Sequence, residues 1–411
     1  MSKSNNPVAL LFCQDIDGHR QNYVAVLGKW FLSKGYKVIV ALTNAEDGSS
    51  PADTPVLGRL LKNQRVLLVE LGDTKTDSGI TGFWVHRIRM IEDEVQPTWT
   101  VLIVGDQCRQ TLFGLGTAGR PSMTRRAGIF IYVNHVYKPD LRGTSLPRKV
   151  WRYLRWWQWQ RRESRYFAQA VWSEMGLDKI ITTNENFWRM ANDERICLIP
   201  EIYRAWGFEM LNNDPMIEKN RKDYQSFLIR NPDREIILYY GTRFARRGYD
   251  TLLALACDHV DTVFVSCGRE AEEQQSYEHD VAYLREQLKS EGRLFEINLP
   301  FLPENPLIDD LFKSVHFVLL PYRQWYGMSG SFFQAVSYGK PVLVPDIGHM
   351  AATVRKYSIG LTYTAIKKLD FINKFEIIKG KRHKYITALE AFASEYNEIS
   401  LFKALERTFT S

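Results

Sequence analysis

The 411-residue sequence predicts an α/β protein built of two doubly wound domains. Short apolar runs typical of buried strands alternate with amphipathic helical segments, and this alternation lapses once, between about residues 199 and 215. Parallel strands need a crossover connection, usually a helix, so two such series predict two parallel sheets. We expect a first domain at 1–205, a second at 206–390 that faces it across a cleft, and a C-terminal helix at 391–411 that crosses back to the first.

The first half begins with a strand–helix–strand unit. Its members are, in order, the apolar strand Val8–Cys13, the amphipathic helix Asn22–Lys34 and the strand Lys37–Leu42. Further apolar runs predict strands at Val66–Leu71, Val101–Val104, Gly128–Val133 and Lys179–Thr182. Helical segments separate these runs, so the strands should all be parallel.

The second half repeats this pattern. A polar helix at Met216–Arg230 precedes the strand Glu235–Tyr240, which opens the second series. Helices are then predicted at 249–257, 279–291, 307–314 and 331–338, and strands at 262–266, 294–298, 316–320 and 341–344. The closing segment, His383–Ser411, is expected to be helical throughout.

Positive charge is concentrated in the segment Arg148–Arg165. The formal net charge is +7, and this segment alone has seven basic residues against one acidic residue. On a helix, Val150, Tyr153, Leu154 and Trp157 form one apolar stripe flanked by cations. Two interpretations are open: the stripe packs on a core, or the helix makes a peripheral contact with an anionic membrane. We expect no nucleic-acid partner, because no recognition module accompanies the segment.

The sequence also bears on location and excludes several enzyme classes. The five cysteines are scattered without CxxC or metal-ligand spacing, no secretory signal is recognisable, and no apolar run is long enough to span a bilayer. We therefore predict a cytoplasmic protein, located at the inner face of the membrane if the basic segment contacts lipid. The absence of GxSxG, HExxH and Walker motifs argues against a serine hydrolase, a zinc protease and a P-loop NTPase.

A loop of small residues, Met328-Ser329-Gly330-Ser331, directly precedes a predicted helix. The first N–H groups of a helix have no intrahelical partner and lie at the positive end of its dipole. In a parallel α/β sheet this loop falls at the carboxyl edge, where ligands collect. The pattern predicts a binding site for an anion, most simply a phosphate.

Several short motifs follow one another in a fixed order in the second half. They are YYGTRFARRGYDTLL at 239–253, VSCG at 265–268, LPF at 299–301, DDLFKSVHF at 309–317 and AVSYGKPVL at 335–343. This order and spacing resemble the C-terminal domain of GT-B glycosyltransferases, most nearly the retaining family 4. The resemblance covers roughly residues 235 to 365, and the first half agrees in pattern only. It implies the GT-B fold, in which two Rossmann-like domains face each other across a cleft.

The resemblance also implies a set of donor-binding residues for a nucleoside-diphosphate sugar, such as a UDP-sugar. They are Gly241, Arg243, Arg247, Ser329, Gly330, Ser331, Gln334 and Tyr326. The guanidinium groups and the backbone amides would together grip the diphosphate without a metal ion. Arg246 could replace Arg247, since the tandem leaves the register open. Gln334 and Tyr326 stand where the family has two glutamates, so the contact with the donor sugar should differ from that of the family.

The catalytic and acceptor-binding residues are expected in loops that follow strands of the first domain. His19 and His135 are the catalytic candidates, and Asp17, Gly18 and Asp106 are the acceptor-binding candidates. Members of the inverting class place a catalytic histidine on the first of these loops, where a neutral imidazole acts as general base. Asp15-Ile16-Asp17 has the DxD pattern of metal-dependent transferases, but a polar turn is the simpler interpretation, and we predict no metal.

We therefore expect a nucleotide-sugar-dependent hexosyltransferase that moves a sugar to an acceptor hydroxyl of a glycan, a lipid-linked molecule or a small molecule. The resemblance favours retention of configuration, the clamp of guanidinium groups and backbone amides would make the reaction independent of metal, and no cofactor is expected besides the donor substrate. Three alternatives are open: an inverting enzyme that uses His19 as base, a nucleotide-sugar epimerase, and a non-catalytic GT-B-like binding subunit. The missing glutamate pair favours the last of these.

Overall fold

The computed structural model describes residues 6–14, 20–43, 50, 54–71, 80–103, 109–119, 121–131, 133, 137, 145–172, 177–204, 214–243, 247–270, 279–299, 305–323, 325–365 and 367–410. The chain divides into two compact units. The first comprises Met1–Pro139, Leu146–Phe208 and Asn397–Ser411, and the second comprises Asp140–Ser145 and Glu209–Tyr396.

The first unit contains a seven-stranded parallel sheet with the order β3-β2-β1-β4-β5-β6-β7. In chain order its elements are β1 (Val8–Cys13), α1 (Arg20–Ser33), β2 (Lys37–Leu42), α2 (Pro55–Leu61), β3 (Val66–Glu70), α3 (Ile80–Val95), β4 (Trp99–Leu102), α4 (Arg109–Thr117), β5 (Arg125–Phe130), α5 (Leu146–Trp172), β6 (Lys179–Thr182), α6 (Glu185–Ala191) and β7 (Ile196–Leu198).

The second unit contains a six-stranded parallel sheet with the order β10-β9-β8-β11-β12-β13. In chain order its elements are α7 (Pro215–Ile229), β8 (Glu235–Tyr240), α8 (Tyr249–Asp258), β9 (Thr262–Gly268), α9 (His279–Ser290), β10 (Leu294–Asn298), α10 (Pro306–Ser314), β11 (Phe317–Leu319), α11 (Gly330–Ser337), β12 (Val342–Pro345), α12 (Gly348–Tyr357), β13 (Gly360–Tyr363), α13 (Lys368–Lys381), a 3-10 turn at Arg382–Tyr385 and α14 (Ile386–Glu395).

Each sheet is covered by helices on both faces, because strand side chains alternate in direction and both sets are apolar. In β1, Leu11 belongs to the core cluster shared with α1, whereas Leu10 and Phe12 belong to the cluster shared with α3. The prediction of two doubly wound α/β domains is confirmed.

The last helix, α15 (Glu398–Thr410), belongs to the first unit. Its buried Phe409 ring lies 5.3 Å from the Trp30 ring, 5.0 Å from Phe31 and 4.9 Å from Trp99, measured between centroids. Lys29 also pairs with Glu398 at the start of the helix. Residues near position 400 therefore complete a core that begins with the first strand.

One local prediction is wrong, and one of the two open interpretations of the basic helix is contradicted. The segment His383–Ser411 is not one continuous helix, because Asn397 interrupts it: its side chain accepts a hydrogen bond from the Ser400 N–H at 2.9 Å and starts α15 as a new helix. The apolar stripe of the basic helix α5 does not pack on a core, since Val150, Leu154 and Trp157 are all exposed.

Within the described parts of the chain, no helix has both the length and the apolar character needed to cross a membrane.

Candidate anion-binding site

The candidate site lies at the point in the second sheet where the strand order reverses. The chain leaves β8 to one side and β11 to the other, so the residues after these strands meet at the carboxyl edge of the sheet. Gly241 follows β8, and the segment from Leu320 to Ser329 connects β11 to α11. Ligands of open α/β sheets bind at such switch points, because the diverging connections leave a crevice.

Gly241 lets the loop after β8 approach its neighbours closely. It has a φ of +129°, which favours glycine, and its N–H donates to the Cys267 carbonyl at 2.9 Å. A Cβ at this position would overlap the Arg247 guanidinium and would lie 3.4 Å from Ser331 Oγ. The structure thus brings the predicted residues Gly241, Arg247 and Ser331 together.

Arg247 presents a half-buried guanidinium next to Gly241. The group lies over the Tyr322 ring, 5.4 Å from its centroid, and this aromatic face orients it. Among the described residues, no carboxylate lies within ion-pair distance of Arg247. A cation held in place by an aromatic ring and left without a protein counter-ion can bind an anionic ligand.

The N-terminus of α11 contributes the second part of the site. The Ser329 carbonyl accepts from the Phe332 N–H at 3.0 Å, while the side chain of Ser329 caps no amide and lies 3.1 Å from the Tyr322 hydroxyl. Helical geometry leaves the N–H groups of Gly330 and Ser331 without intrahelical acceptors, and no other acceptor meets them in the described part of the chain. The helix begins with no acidic residue in its first turn, so its positive end is not neutralised.

Gln334 lies on α11 itself, and Tyr326 lies in the connection that precedes this helix. Gln334 is half-buried on α11, one turn after Gly330 and Ser331, and therefore lies on the same side of the helix. Tyr326 is held by its backbone: its carbonyl accepts from the His349 N–H at 2.8 Å, and a Cβ at Gly348 would overlap its backbone. Gly348 has a φ of +69°, so this close contact also depends on glycine.

Arg243 does not join Arg247, contrary to the predicted clamp. Its side chain is 2% exposed and donates to Ser266 Oγ at 3.4 Å and to the Ile297 carbonyl at 3.3 Å. The guanidinium also lies 3.9 Å from both the Glu270 and the Glu296 carboxylates. Because it is buried and both of its terminal nitrogens donate to protein acceptors, Arg243 does not present its guanidinium to a diphosphate, and we assign it a supporting role beneath the site.

The carboxylate of Glu296 is the centre of this supporting network. Burial alone would raise its pKa, but hydrogen bonds from Lys289 and Tyr249 and the charges of Arg243 and Arg285 lower the pKa below its usual value. The carboxylate is therefore ionised at neutral pH. It links β10 to α8 and α9 close to the strand ends that carry the site.

Several of the predicted site residues lie outside the described residues. They are Asp17, Gly18, His19, Asp106, His135 and Arg246. In the sequence they follow β1, β4, β5 and β8. The Asp15-Ile16-Asp17 motif also lies outside the described residues. Among the described residues, no group of three or more His, Cys, Asp or Glu side chains is placed to hold a metal ion.

Sequence reasoning missed two contributors to the site. Tyr322 supports the Arg247 guanidinium, and Glu296 anchors Arg243. For Tyr322, the available signal in the sequence was an aromatic residue three positions after β11. A further pattern, GLGTAG at 114–119, has dinucleotide-binding spacing but begins within α4 instead of at a strand-to-helix turn, so it carries no such function here.

Comparisons with known proteins agree with this geometry at the level of fold. No family model and no curated sequence matches the chain. Among solved structures, a glycosyltransferase from Rickettsia africae superposes with a TM-score of 0.64 at 12% identity, covering 99% of this chain and 98% of that one. HepE of Anabaena, solved in complex with UDP, gives 0.63 at 12% identity, with 98% and 99% covered. A UDP-GlcNAc 2-epimerase from Neisseria meningitidis gives 0.57 at 13% identity, with 98% and 99% covered.

These likenesses define the class of fold. The chain has the GT-B fold, with a Rossmann-like parallel sheet in each unit, and its structural neighbours are GT-B glycosyltransferases and sugar epimerases, some of them solved with UDP. At 12–13% identity they show the fold alone.

Proposed function

We propose that this protein is a nucleotide-sugar-dependent glycosyltransferase whose second unit binds the donor diphosphate. One observation supports this most: the Arg247 guanidinium, without a carboxylate partner among the described residues, lies beside Gly241 and Ser331 at the N-terminus of α11. Two independent sources of positive potential thus lie close together beside Gly241. UDP in the neighbouring HepE structure is consistent with a UDP-sugar as donor.

The chemistry requires stabilisation of a leaving diphosphate. When the glycosidic bond of the donor breaks, negative charge grows on the phosphate oxygens. Fixed amides and a guanidinium stabilise that charge without reorganising, which makes a transferase independent of a bound metal ion. Gln334 has an amide that both donates and accepts hydrogen bonds and so suits the ribose hydroxyls, while Tyr326 would contact the donor sugar.

The acceptor side belongs to the first unit in this proposal. Asp17, Gly18 and Asp106 would contact an acceptor hydroxyl of a glycan, a lipid-linked molecule or a small molecule. His19 and His135 would act at the sugar, in a transfer of a hexose with retained configuration. A histidine general base at position 19 would instead give inversion, so product stereochemistry separates the two mechanisms.

Calorimetry with UDP, GDP, ADP and dTDP tests the proposal. We expect one of these nucleotides to bind the wild-type protein, and Arg247→Ala to weaken that binding by about 10- to 100-fold, the loss of one charge-assisted contact. Arg230→Ala, which removes an exposed arginine at the end of α7, is the matched control and should bind normally. If no nucleotide gives heat, or if both variants bind alike, the assignment of the diphosphate site is wrong.

A second function is favoured by the residues at positions 326 and 334. Tyr326 and Gln334 replace the two glutamates of the family that the sequence resembles, which supports a non-catalytic subunit that binds a nucleotide or glycan without turnover. Incubation with a panel of nucleotide sugars distinguishes the two. Slow release of free nucleotide, abolished by Arg247→Ala, supports the transferase; nucleotide binding with no release from any donor supports the binding subunit.

A further inference from the structure

Tyr322 contacts both parts of the candidate site, the free cation and the start of α11. It is 2% exposed, and the Arg247 guanidinium lies over its ring, 5.4 Å from the centroid. Its hydroxyl lies 3.1 Å from Ser329 Oγ, and the hydrogen bond between the two hydroxyls is buried. One side chain therefore joins the cation to the residue at which α11 begins.

Ser329 is the N-cap residue of α11, yet its side chain caps no amide. Serine is favoured at this position because its hydroxyl oxygen accepts a hydrogen bond from the second or third backbone N–H of the helix. The N-cap side chains of α2, α6, α7 and α10 all accept such a bond; they are Thr54, Asn184, Asp214 and Asn305. The Ser329 hydroxyl is bonded to Tyr322 instead, and this bond explains why α11 differs from those four helices.

The bond to Tyr322 leaves the first amides of α11 available. Among the described residues, no acceptor meets the N–H groups of Gly330 and Ser331. A Ser329 hydroxyl released from Tyr322 would be within reach of the Ser331 N–H, as the side chain of a serine N-cap ordinarily is. It would then compete with a phosphate oxygen for the same donor.

The chain on both sides of Tyr322 is fixed to the start of α8. A Cβ at Gly248 would overlap the Pro321 carbonyl group, so the residue before Tyr322 packs closely on the N-cap of that helix. Arg323, the residue after it, forms an ion pair with Asp250 in the first turn of the same helix. The tyrosine hydroxyl therefore meets Ser329 at a defined point.

We propose that Tyr322 is a positioning residue whose hydroxyl keeps Ser329 from capping α11, so that the Gly330 and Ser331 amides can bind phosphate oxygens. Tyr322 acts through Ser329 and needs no contact with the ligand. Ser329 then belongs to the site through its place in the backbone and not through its hydroxyl. The inference rests on the proposed diphosphate site, which it deepens by naming what holds that site open.

Tyr322→Phe isolates the hydroxyl, because a phenylalanine ring still supports the Arg247 guanidinium. We expect calorimetry to show UDP binding weakened by about 3- to 10-fold, the equivalent of one hydrogen bond. Inorganic pyrophosphate, which carries no base, should be weakened by a similar factor. Adding Ser329→Ala to Tyr322→Phe removes the competing hydroxyl and should restore most of the lost affinity.

Thermal stability should follow a different order from affinity, which a merely structural role of Tyr322 would not produce. Tyr322→Phe loses one hydroxyl bond and gains a helix cap, so its Tm should stay within about 2 °C of wild type. The double variant has neither bond and should melt about 2–4 °C lower. Of these two variants, the one that binds UDP less tightly is therefore the more stable.

Tyr224→Phe is the matched control, because Tyr224 on α7 makes the same kind of bond, 2.6 Å from its hydroxyl to Ser314 Oγ. Ser314 ends α10 just before β11, at the amino edge of the sheet, and it also donates to the Asp310 carbonyl at 2.7 Å. It is therefore not an N-cap, and its release exposes no amide of the site to competition. Tyr224→Phe should lower the Tm by about 2–4 °C and leave UDP affinity unchanged.

Hydrogen exchange tests the inference without any ligand. The amides of residues 330–332 should exchange more slowly in Tyr322→Phe than in wild type, and the double variant should exchange like wild type. Equal exchange in wild type and Tyr322→Phe, or no recovery of UDP affinity in the double variant, would overturn the inference. If no nucleotide binds the wild-type protein, the proposed function is wrong, and the exchange rates still decide whether Tyr322 controls the cap.

Discussion

Arg243 and Arg247 follow the same strand, yet their guanidinium groups have opposite surroundings. Arg243 is buried between Ser266, the Ile297 carbonyl and two carboxylates, whereas Arg247 lies over an aromatic ring and has no carboxylate partner among the described residues. A buried cation must be paired, because the cost of removing it from water exceeds any single contact. A ligand-binding cation must keep its donors available. Four positions along the chain therefore separate a supporting residue from a binding residue.

At the residue scale, Gly241→Ala should disable the site while preserving the fold. The added methyl group would overlap the Arg247 guanidinium and displace it from Ser331. We expect nucleotide affinity to fall at least tenfold, measured by calorimetry, with little change in secondary structure. Gly380→Ala on α13 is the control, because a Cβ there meets nothing within 4 Å. Unchanged affinity in Gly241→Ala would show that Arg247 is not positioned by this contact.

At the element scale, the network around Glu296 joins β10 to α8 and α9 and should make the second unit sensitive to acid. The folded-state pKa of Glu296 is lowered from 4.5, so its contribution to stability is present above that pH and is lost as pH falls through the folded pKa. Glu296→Gln should lower the free energy of unfolding by about 3 kcal/mol at neutral pH, since it leaves buried cations unpaired.

The pH dependence of this difference gives the decisive measurement. Chemical denaturation of wild type and Glu296→Gln should show a gap that narrows as pH falls below about 4.5. The exposed Glu390→Gln on α14 should stay within about 0.5 kcal/mol of wild type. A gap that is constant with pH would mean that the carboxylate charge is not the source of the effect.

A second buried pair joins α3 to β5 in the first unit. Glu92, which is fully buried, accepts from Arg126 Nε at 2.9 Å and Nη2 at 2.6 Å, and from Thr100 Oγ1 at 2.9 Å. Arg126 also donates to the Leu115 and Gly119 carbonyls at 3.0 and 2.9 Å, which links α4 to the same point. The charge attraction of a buried pair is largely offset by the cost of removing both groups from water. The pair stabilises the first unit because its hydrogen bonds satisfy both buried side chains.

Glu92→Ala should therefore destabilise the first unit by about 3–5 kcal/mol, because it leaves the Arg126 charge buried and unpaired. Removing both partners, as Glu92→Leu with Arg126→Met, should recover most of that loss. Arg189→Ala breaks an exposed pair on α6 and should cost less than about 1 kcal/mol. Equal losses for Glu92→Ala and Arg189→Ala, measured by denaturation, would contradict the assignment.

At the scale of the whole molecule, the stability of the first unit depends on α15. Phe409 is 4% exposed and contacts the rings of Trp30, Phe31 and Trp99. Phe409→Ala should cost the first unit about 3–5 kcal/mol and leave the second unit unchanged, because the cavity forms in one core only. Hydrogen exchange resolved by peptide separates the two units. Ile399→Ala, at a 68% exposed position of the same helix, should change neither.

The sequence predicts the architecture well because both sheets are parallel and buried on both faces. Strands such as Glu235–Tyr240 are then continuous apolar runs that hydrophobicity alone identifies. Gly241 and Ser331 could also be predicted as site residues, since glycine and small residues at strand-to-helix turns let the backbone approach a ligand closely. The sequence could not predict that Arg243 is buried while Arg247 is available to a ligand. This difference depends on tertiary partners that are distant in sequence, such as Glu296. The exposure of the α5 stripe likewise could not be predicted, since an amphipathic pattern does not say what covers its apolar side.

The place of α15 in the first core has a consequence for biosynthesis. Lys29 and Glu398, which pair at the edge of that core, are 369 residues apart in the chain. A ribosome adds roughly 5–20 residues per second, so α15 is synthesised on the order of tens of seconds after the segment that contains Trp30. Until then, the aromatic side chains that pack against α15 have no partner helix. During that interval the nascent chain exposes indole and phenyl groups that the finished protein buries. We therefore expect chaperones to bind the newly made chain at the first unit, near Trp30, until α15 has been synthesised and covers these side chains.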